Sequence, residues 1–237
     1  MNSSDQISVD TVARHYTNRS GDFNTLLARI GYELIKPYCV AGSVLEVGPA
    51  DGEMTAHLVR DFTSISIVEP SRRFISLLTK QFPTIIAHNA FLETFKSTQT
   101  YDNIIIAHVL EHVVDPHLAL LNARKHLNPN GRIFLVVPNA MSLHRQVGVY
   151  MGLLKKTTDL NPLDKKQGHR RVYTMQTFRE DITKARLSIL HLGGFFLKQQ
   201  PSSFIEKHWS AELIKGYFQL GQLYPTIASE LFAVCQL

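Results

Sequence analysis

The chain has 237 residues, enough for one large domain, and 44% of them are hydrophobic against 19% charged, which fits an ordinary globular core. Two cysteines, Cys39 and Cys235, both in apolar surroundings, exclude a disulfide framework and read as buried free thiols. The net charge of +5 admits nucleic acid, anionic small molecules or acidic surfaces as partners without choosing among them. No apolar run reaches the length of a membrane span, and Met1 to Gln6 lacks the basic start and apolar stretch of a signal peptide. A soluble, cytoplasmic protein with no membrane partner is therefore expected.

Before Ala41 the chain reads as helical, most clearly from Phe23 to Lys36, and residues 1–40 are expected to form a lid. Ser43 to Gly48 reads as a first strand. A helix follows from Glu53 to Asp61, with Met54, Leu58 and Val59 on one face. Ser64 to Val68 is the second strand. Ser71 then caps a helix to Gln81 that turns Phe74, Ile75, Leu77 and Leu78 inward. Pro83 ends it, and Thr84 to Ala87 is the third strand.

Asn103 to Ala107 is the fourth strand. Asp115-Pro116 opens a helix to Leu127, Asn128-Pro129-Asn130-Gly131 is a turn, and Arg132 to Val137 is the fifth strand. Alternating strands and helices over residues 41–138 predict a doubly wound, mostly parallel α/β sheet with helices on both faces. Residues 139–173 break the pattern with glycines, Pro162 and basic residues, as an insertion over the carboxyl edge of the sheet. Residues 174–237 complete it: a helix from Met175 to Leu187, closing strands at Phe195 to Gln199 and Leu231 to Gln236, and an amphipathic helix from Trp209 to Tyr224. A single domain over 1–237 is the expectation.

The turn after the first strand reads Glu46-Val47-Gly48-Pro49-Ala50-Asp51-Gly52. Glycines there let the backbone approach a ligand closely, and Glu69 at the end of the second strand suits ribose hydroxyls. The spacing Gly48-x-Ala50-x-Gly52 is not the dinucleotide fingerprint, and the Glu46 carboxylate would repel a pyrophosphate but not a sulfonium or ammonium.

On these residues the chain resembles the class I S-adenosylmethionine-dependent methyltransferases, with their Rossmann-like seven-stranded sheet. Glu46, Gly48, Ala50 and Gly52 match the first motif, with alanine in place of the middle glycine. Glu69 matches the second. Tyr101 to Val113, ending Val109-Leu110-Glu111-His112-Val113, matches the fourth-strand signature, and Leu127 to Arg132 matches the turn before strand five. The resemblance covers about residues 40 to 140. It implies S-adenosylmethionine as cofactor and S-adenosylhomocysteine as product. Glu46, Gly48, Ala50 and Gly52 would pass the methionine part, Glu69 would bind ribose, and Pro70 and Ser71 would border the adenine. Asn89, beside Ala90, would take the adenine amine, His108 would lie near the methionine end, and Tyr16 would touch the methionine carboxylate from the N-terminal segment.

Methyl transfer to a hydroxyl or ammonium is helped by a base, and histidine suits neutral pH. His144, His169 and His112, on loops at the carboxyl edge, are the catalytic candidates. His57 and His126 fall within predicted helices and are expected at the surface. Asn139 and Ser142 follow strand five, where the family lines its acceptor pocket. Arg170, Arg171 and Tyr173 read as a clamp for a carboxylate or phosphate. No His/Cys cluster has ligand spacing along the chain, so no metal is predicted.

The expected function is methylation of an oxygen or nitrogen of a small molecule, anionic or neutral, by a monomer or homodimer. Methylation of RNA or a protein is the alternative within enzymes: Lys155-Lys156, Lys165-Lys166 and Arg170-Arg171 suit phosphates, but aromatic interleaving is sparse. A non-catalytic binding module is the alternative outside enzymes, resting on Ala50 and Asn89.

Overall fold

Residues 23–237 are described in the computed structural model. In chain order they form α1 (Phe23–Ile35), β1 (Val44–Val47), α2 (Glu53–Asp61), β2 (Ile65–Val68), α3 (Arg72–Gln81), β3 (Ile86–His88), β4 (Tyr101–Ala107), α4 (Pro116–Lys125) and β5 (Leu127–Pro138). Then come α5 (Leu143–Tyr150), α6 (Pro162–Lys166), α7 (Met175–Lys184), β6 (Ser188–Phe195), α8 (Ser202–His208), α9 (Ala211–Leu223) and β7 (Glu230–Gln236). Residues 1–22, with Tyr16 and the first part of the expected lid, lie outside the described residues.

Alternation within the strands decides the architecture. Ile104 and Ile106 of β4 face one side of the sheet and Ile105 the other. In β5, Ile133, Leu135 and Val137 alternate with Phe134 and Val136, and in β7 Leu231 and Ala233 alternate with Phe232 and Val234. All are buried, so both faces need cover. On one side the cover includes Leu120 and Ala123 of α4 and Phe178 and Ile182 of α7. On the other it includes Ile30 and Ile35 of α1, Leu58 of α2, and Phe74 and Leu78 of α3.

Among the described residues the strands form one seven-stranded sheet in the order β3-β2-β1-β4-β5-β7-β6. The first five run parallel, and β7 is antiparallel to both β5 and β6. This is the expected doubly wound fold. Because β7 runs backwards, its first residue, Glu230, pairs with Pro138 at the end of β5. The beginning of β7 therefore joins the carboxyl edge where the parallel strands end.

The helix starts follow the chain's capping residues. Ser71 Oγ accepts the Phe74 N–H at the start of α3, and Asp115 Oδ1 accepts the Leu118 N–H at the start of α4, with Pro116 in the first turn. Leu77, expected inward on α3, is 38% exposed. His126, expected at the surface, is buried against Phe95, and His57 is half-buried against Tyr32.

Several boundaries differ from the sequence reading. The third strand is Ile86–His88, a short edge strand whose Ile86 is largely exposed, so its pattern was weak. Residues 128–131 do not separate helix from strand but bulge within β5: Leu127 pairs with Tyr101 and Arg132 with Asn103, and a Cβ on Gly131 would sit 2.9 Å from the Asp102 carbonyl. The closing strand is Ser188–Phe195 and not Phe195 to Gln199; it alternates poorly around His191, Gly193 and Gly194, and Phe196 leaves it at a left-handed φ of 62°. Similarly, α7 stops at Lys184 before Arg186, whose φ is 58°.

Among the described residues no helix is long and apolar enough to cross a membrane. Cys39 and Cys235 are free thiols; Cys235 is buried and Cys39 is half-buried. α9 packs Ile214, Tyr217 and Phe218 inward, and its Gly221 abuts the β6 exit so closely that a Cβ would lie 2.1 Å from the Phe196 nitrogen.

Asp102 ties the amino end of the central strands together. Its Oδ2 accepts the Ser43 N–H at 2.8 Å and the Ser43 hydroxyl at 3.0 Å, and its Oδ1 accepts the Asn128 amide at 2.7 Å. These donors hold the carboxyl below its ordinary range. Asp102→Ala should cost about 1–3 kcal/mol, lowering Tm by about 2–4 °C per kcal/mol for a chain of this size. An unchanged melting temperature would show that the clasp contributes nothing.

Candidate active site

A cavity of about 800 Å³ lies along the carboxyl edge of the sheet, within the size range of small-molecule sites. One end is built by β1 and β2. Glu46, Gly48, Pro49 and Ala50 line it from the first turn, with Glu69 and Pro70 from the second and Phe91 from the segment after β3. α1 covers this region with Phe23, Asn24, Leu27 and Gly31. The part of the expected lid that is described thus lies on the cavity.

The first turn takes its shape from left-handed residues. Gly48 has φ 66° and Gly52 φ 89°, and between them Ala50 holds φ 49° without being glycine. A Cβ on Gly48 would approach the Val109 side chain to 2.6 Å. Gly52 faces away from the cavity: its Cβ would strike Leu78 of α3 at 2.5 Å. Its glycine serves the turn and the packing of α3.

Two buried carboxylates face this end. Glu46 Oε2 accepts the Thr55 hydroxyl at 2.6 Å, and Glu69 Oε1 accepts the Ser71 N–H at 2.8 Å. Burial pushes the Glu46 carboxyl up to about 7, against the Thr55 bond and with help from the Glu69 charge. Asn89 donates its amide to the Glu69 and Pro70 carbonyls, fastening the β3 exit to the β2 exit, and neither Asn89 nor Ala90 lines the cavity.

At the other end, β4 hands over to the loop 108–114. His108 turns it with φ 55°. Its Nδ1 lies 3.4 Å from Glu111 and 3.9 Å from Glu230. Burial alone would lower the His108 pKa, but the two carboxylates outweigh it and raise it to about 9. Burial likewise pushes Glu230 up to about 7, opposed by His108 and Lys198.

The insertion supplies the facing wall. Arg145, at 5% exposure, donates to Asp164 at 3.0 Å and to the Thr157 and Asp159 carbonyls. Asp164 in turn forms a capping box with Asn161 at the start of α6. That clasp folds residues 145–166 onto one buried ion pair and presents His169, whose N–H bonds the Asp164 carbonyl.

Three sequence candidates lie away from the cavity. Arg171 donates to the carbonyls of Leu110, Val113 and Val114, pinning the 108–114 loop. Tyr173 is buried with its hydroxyl on Asp181, and Ser142 is fully buried; none of the three lines the cavity. The expected anion clamp is thus reduced to Arg170, which lines the cavity while donating its Nε to the His112 carbonyl. Asn139 reaches the cavity wall, but its amide is committed to the Thr226 and Ala228 carbonyls and to the Met141 N–H.

His112, His144 and His169 all line the cavity. Burial, aided by Lys198 and Arg145, drives the His144 pKa down to about 3. It is neutral at neutral pH and weakly basic. His112 and His169 meet edge to face, with ring centroids 4.7 Å apart, beside the fully buried Glu111. Sequence reading did not select Glu111, Glu230, Lys198, Arg145 or Asp164. Glu111 stands in the fourth-strand signature, but the separation of these residues along the chain hides that they converge, and Glu230, Lys198, Arg145 and Asp164 belong to no motif.

A family model described as a methyltransferase domain matches residues 15–192. No curated protein matches the chain. Among solved structures it is similar to an S-adenosylmethionine-dependent methyltransferase from Thermotoga maritima, titled a possible histamine N-methyltransferase, at 17% identity and a TM-score of 0.63, over 89% of this chain and 91% of that one. The N-methyltransferase NodS from Bradyrhizobium japonicum WM9, in complex with S-adenosyl-l-homocysteine, aligns at 16% identity and a TM-score of 0.55, over 98% of this chain and 94% of that one. An S-adenosylmethionine-dependent methyltransferase from Mesorhizobium loti aligns at 13% identity and a TM-score of 0.63, over 88% of this chain and 98% of that one. At these identities the likeness is one of fold.

Two outcomes follow from the geometry. Glu46 has a raised folded-state pKa, so its contribution to stability is fully present below the ordinary carboxyl pKa and is lost as pH rises through about 7. Ligand-free wild type should lose stability relative to Glu46→Gln between about pH 5 and 8, by at most about 3 kcal/mol; parallel stability profiles would refute the buried charge. Arg171→Ala should lower Tm, because hydrogen bonds from a charged group contribute about 1.5–3 kcal/mol. A variant that melts like wild type and loses only affinity for anionic acceptors would restore the clamp.

Proposed function

The chain belongs to the methyltransferase domain family, and we propose that it moves a methyl group from S-adenosylmethionine to an oxygen or nitrogen of a small-molecule acceptor. The cavity fits that cofactor. Glu46 is buried beside Glu69 with a hydroxyl as its hydrogen-bond donor, an environment that favours a cationic ligand. The left-handed turn at Gly48 and Ala50 exposes backbone to the cavity, and Pro70 and Phe91 supply apolar walls. Glu46 and the Gly48 turn would hold the methionine part, and Glu69 the ribose. When bound, the cofactor supplies a methyl group on a sulfonium, already activated for in-line displacement.

What remains for the protein is alignment and exclusion of water. Loop 108–114, pinned by Arg171, and the insertion, clasped by Arg145 and Asp164, fix the two walls of the acceptor end. His108, kept protonated between Glu111 and Glu230, contributes a positive charge there. His144 is too weakly basic to draw a proton from an alcohol, which leaves His112 and His169 as the imidazoles placed to meet the acceptor.

The observation that carries the small-molecule reading is the walled acceptor end. Lys155, Lys156, Lys165 and Lys166 are exposed and none lines the cavity, so no basic track leads into the site along them. In one domain over residues 1–237, the segment 139–173 then serves as the acceptor-side insertion.

Calorimetric titration with S-adenosylhomocysteine tests the reading. Wild type stripped of copurified ligand should bind, and Glu69→Ala should bind more weakly by about 1–3 kcal/mol, the usual cost of an orphaned polar partner. No binding by folded wild type would overturn the cofactor. Equal binding by Glu69→Ala would remove Glu69 from the ribose site.

A further inference from the structure

Glu111 is fully buried, and among the described residues neither of its carboxylate oxygens has a hydrogen-bond partner. His108 comes within 3.4 Å of Oε1 without hydrogen-bond geometry. His108 stands against one side of this carboxylate, yet a buried carboxylate with no hydrogen bond is costly, and a bound cation would satisfy its open oxygens.

The groups that face it are metal-ligand types. One oxygen of Glu111 and one ring nitrogen each of His112 and His169 lie within 4.8 Å of one another. His169 Nδ1 is itself buried without a hydrogen-bond partner; the nearest acid, Asp164 Oδ1, is 3.6 Å away. All three side chains line the cavity. Around a divalent transition metal, with bonds of about 2.0–2.2 Å, ligand atoms sit about 3–4 Å apart. The present spacing is wider than that, so a bound ion would have to draw the two imidazoles inward.

The backbone holds the two ligand segments together. The Arg170 N–H donates to the Glu111 carbonyl at 2.8 Å, and the Arg170 guanidinium donates to the His112 carbonyl at 3.0 Å. The residue after one ligand therefore grips both of the others. Behind His169 stands the buried Arg145–Asp164 pair. The His169 backbone N–H, bonded to the Asp164 carbonyl at 2.9 Å, ties that ligand to the pair.

We propose that Glu111, His112 and His169 bind a divalent transition-metal cation, such as zinc or manganese, with its remaining coordination positions open to the cavity. Two imidazoles and one carboxylate suit that class of ion. An acceptor oxygen that completes the coordination would be held at the acceptor end and made more acidic. That role for the acceptor rests on the methyl-transfer reading; binding of the ion does not. With both imidazoles on the ion, His112 and His169 are ligands and no longer bases.

The test uses tag-free full-length protein, stripped with a chelator and titrated with Zn²⁺, Mn²⁺ or Co²⁺ alone, by calorimetry and, for Co²⁺, by visible absorption. S-adenosylhomocysteine binding is measured on the same samples. Wild type should bind one equivalent of metal. Glu111→Gln and His169→Ala should each weaken it by more than about tenfold while still binding S-adenosylhomocysteine. Should Glu111→Gln fail to fold, His112→Asn takes its place. No metal bound by wild type that still binds S-adenosylhomocysteine overturns the metal site and spares the cofactor. Metal bound without S-adenosylhomocysteine overturns the cofactor and spares the metal site. Metal bound equally by all the variants overturns these ligands.

Discussion

A carboxylate sealed from water has to be answered by its surroundings, and around Glu111 three separate parts of the chain supply the answer. His108, at the end of β4, stands beside it in a left-handed conformation. The loop that carries it is fastened by Arg171, which satisfies three of the loop's carbonyls. The insertion after β5 folds around Arg145 and Asp164 and brings His169 across. Without the sheet to set the end of β4, and the insertion to set the opposite wall, this charge would have no place in a folded protein.

That dependence explains what could be read from the sequence. The elements of the parallel half follow from local chemistry: apolar strand cores, caps at Ser71 and Asp115, and glycines that turn the chain. Hence α2 and the start of α4 fall where the residues place them, and Glu46 and Glu69 face the cavity. The edge strands were less legible. Little of β3 or β6 is buried on two faces, so their patterns fade.

The acceptor end was least legible of all, because its residues act across the chain. Two arginines and a tyrosine close together read as a clamp when only their chemistry is known. Folded, Arg171 and Tyr173 turn inward as supports, and only Arg170 and His169 keep the cavity in view. Asn139 has an amide suited to ligands but uses it on the loop before β7. Distance along the sequence also hid Glu111 from Glu230 and Arg145 from Asp164.

The site holds strained backbone as well as strained charge. Ala50 and His108 both occupy the left-handed region, which costs a non-glycine residue about 1–3 kcal/mol each, and both line the cavity. One lies at the cofactor end and one at the acceptor end. The surrounding sheet over-determines both turns, so the rigid part of the fold sustains conformations that the free chain would abandon.

The sheet order also has a consequence for how the protein comes into being. Among the described residues β6 has no neighbour but β7, and β7 lies after it in the chain. During vectorial synthesis β1 to β5 can pair as they emerge, whereas β6 must wait, unpaired, with α8 and α9 until β7 is made. Glu230 and Lys198 therefore reach the cavity last. A nascent chain can shape the cofactor end before its acceptor end exists, and for that interval the edge of β5 that β7 will pair with stands open to anything able to add a strand.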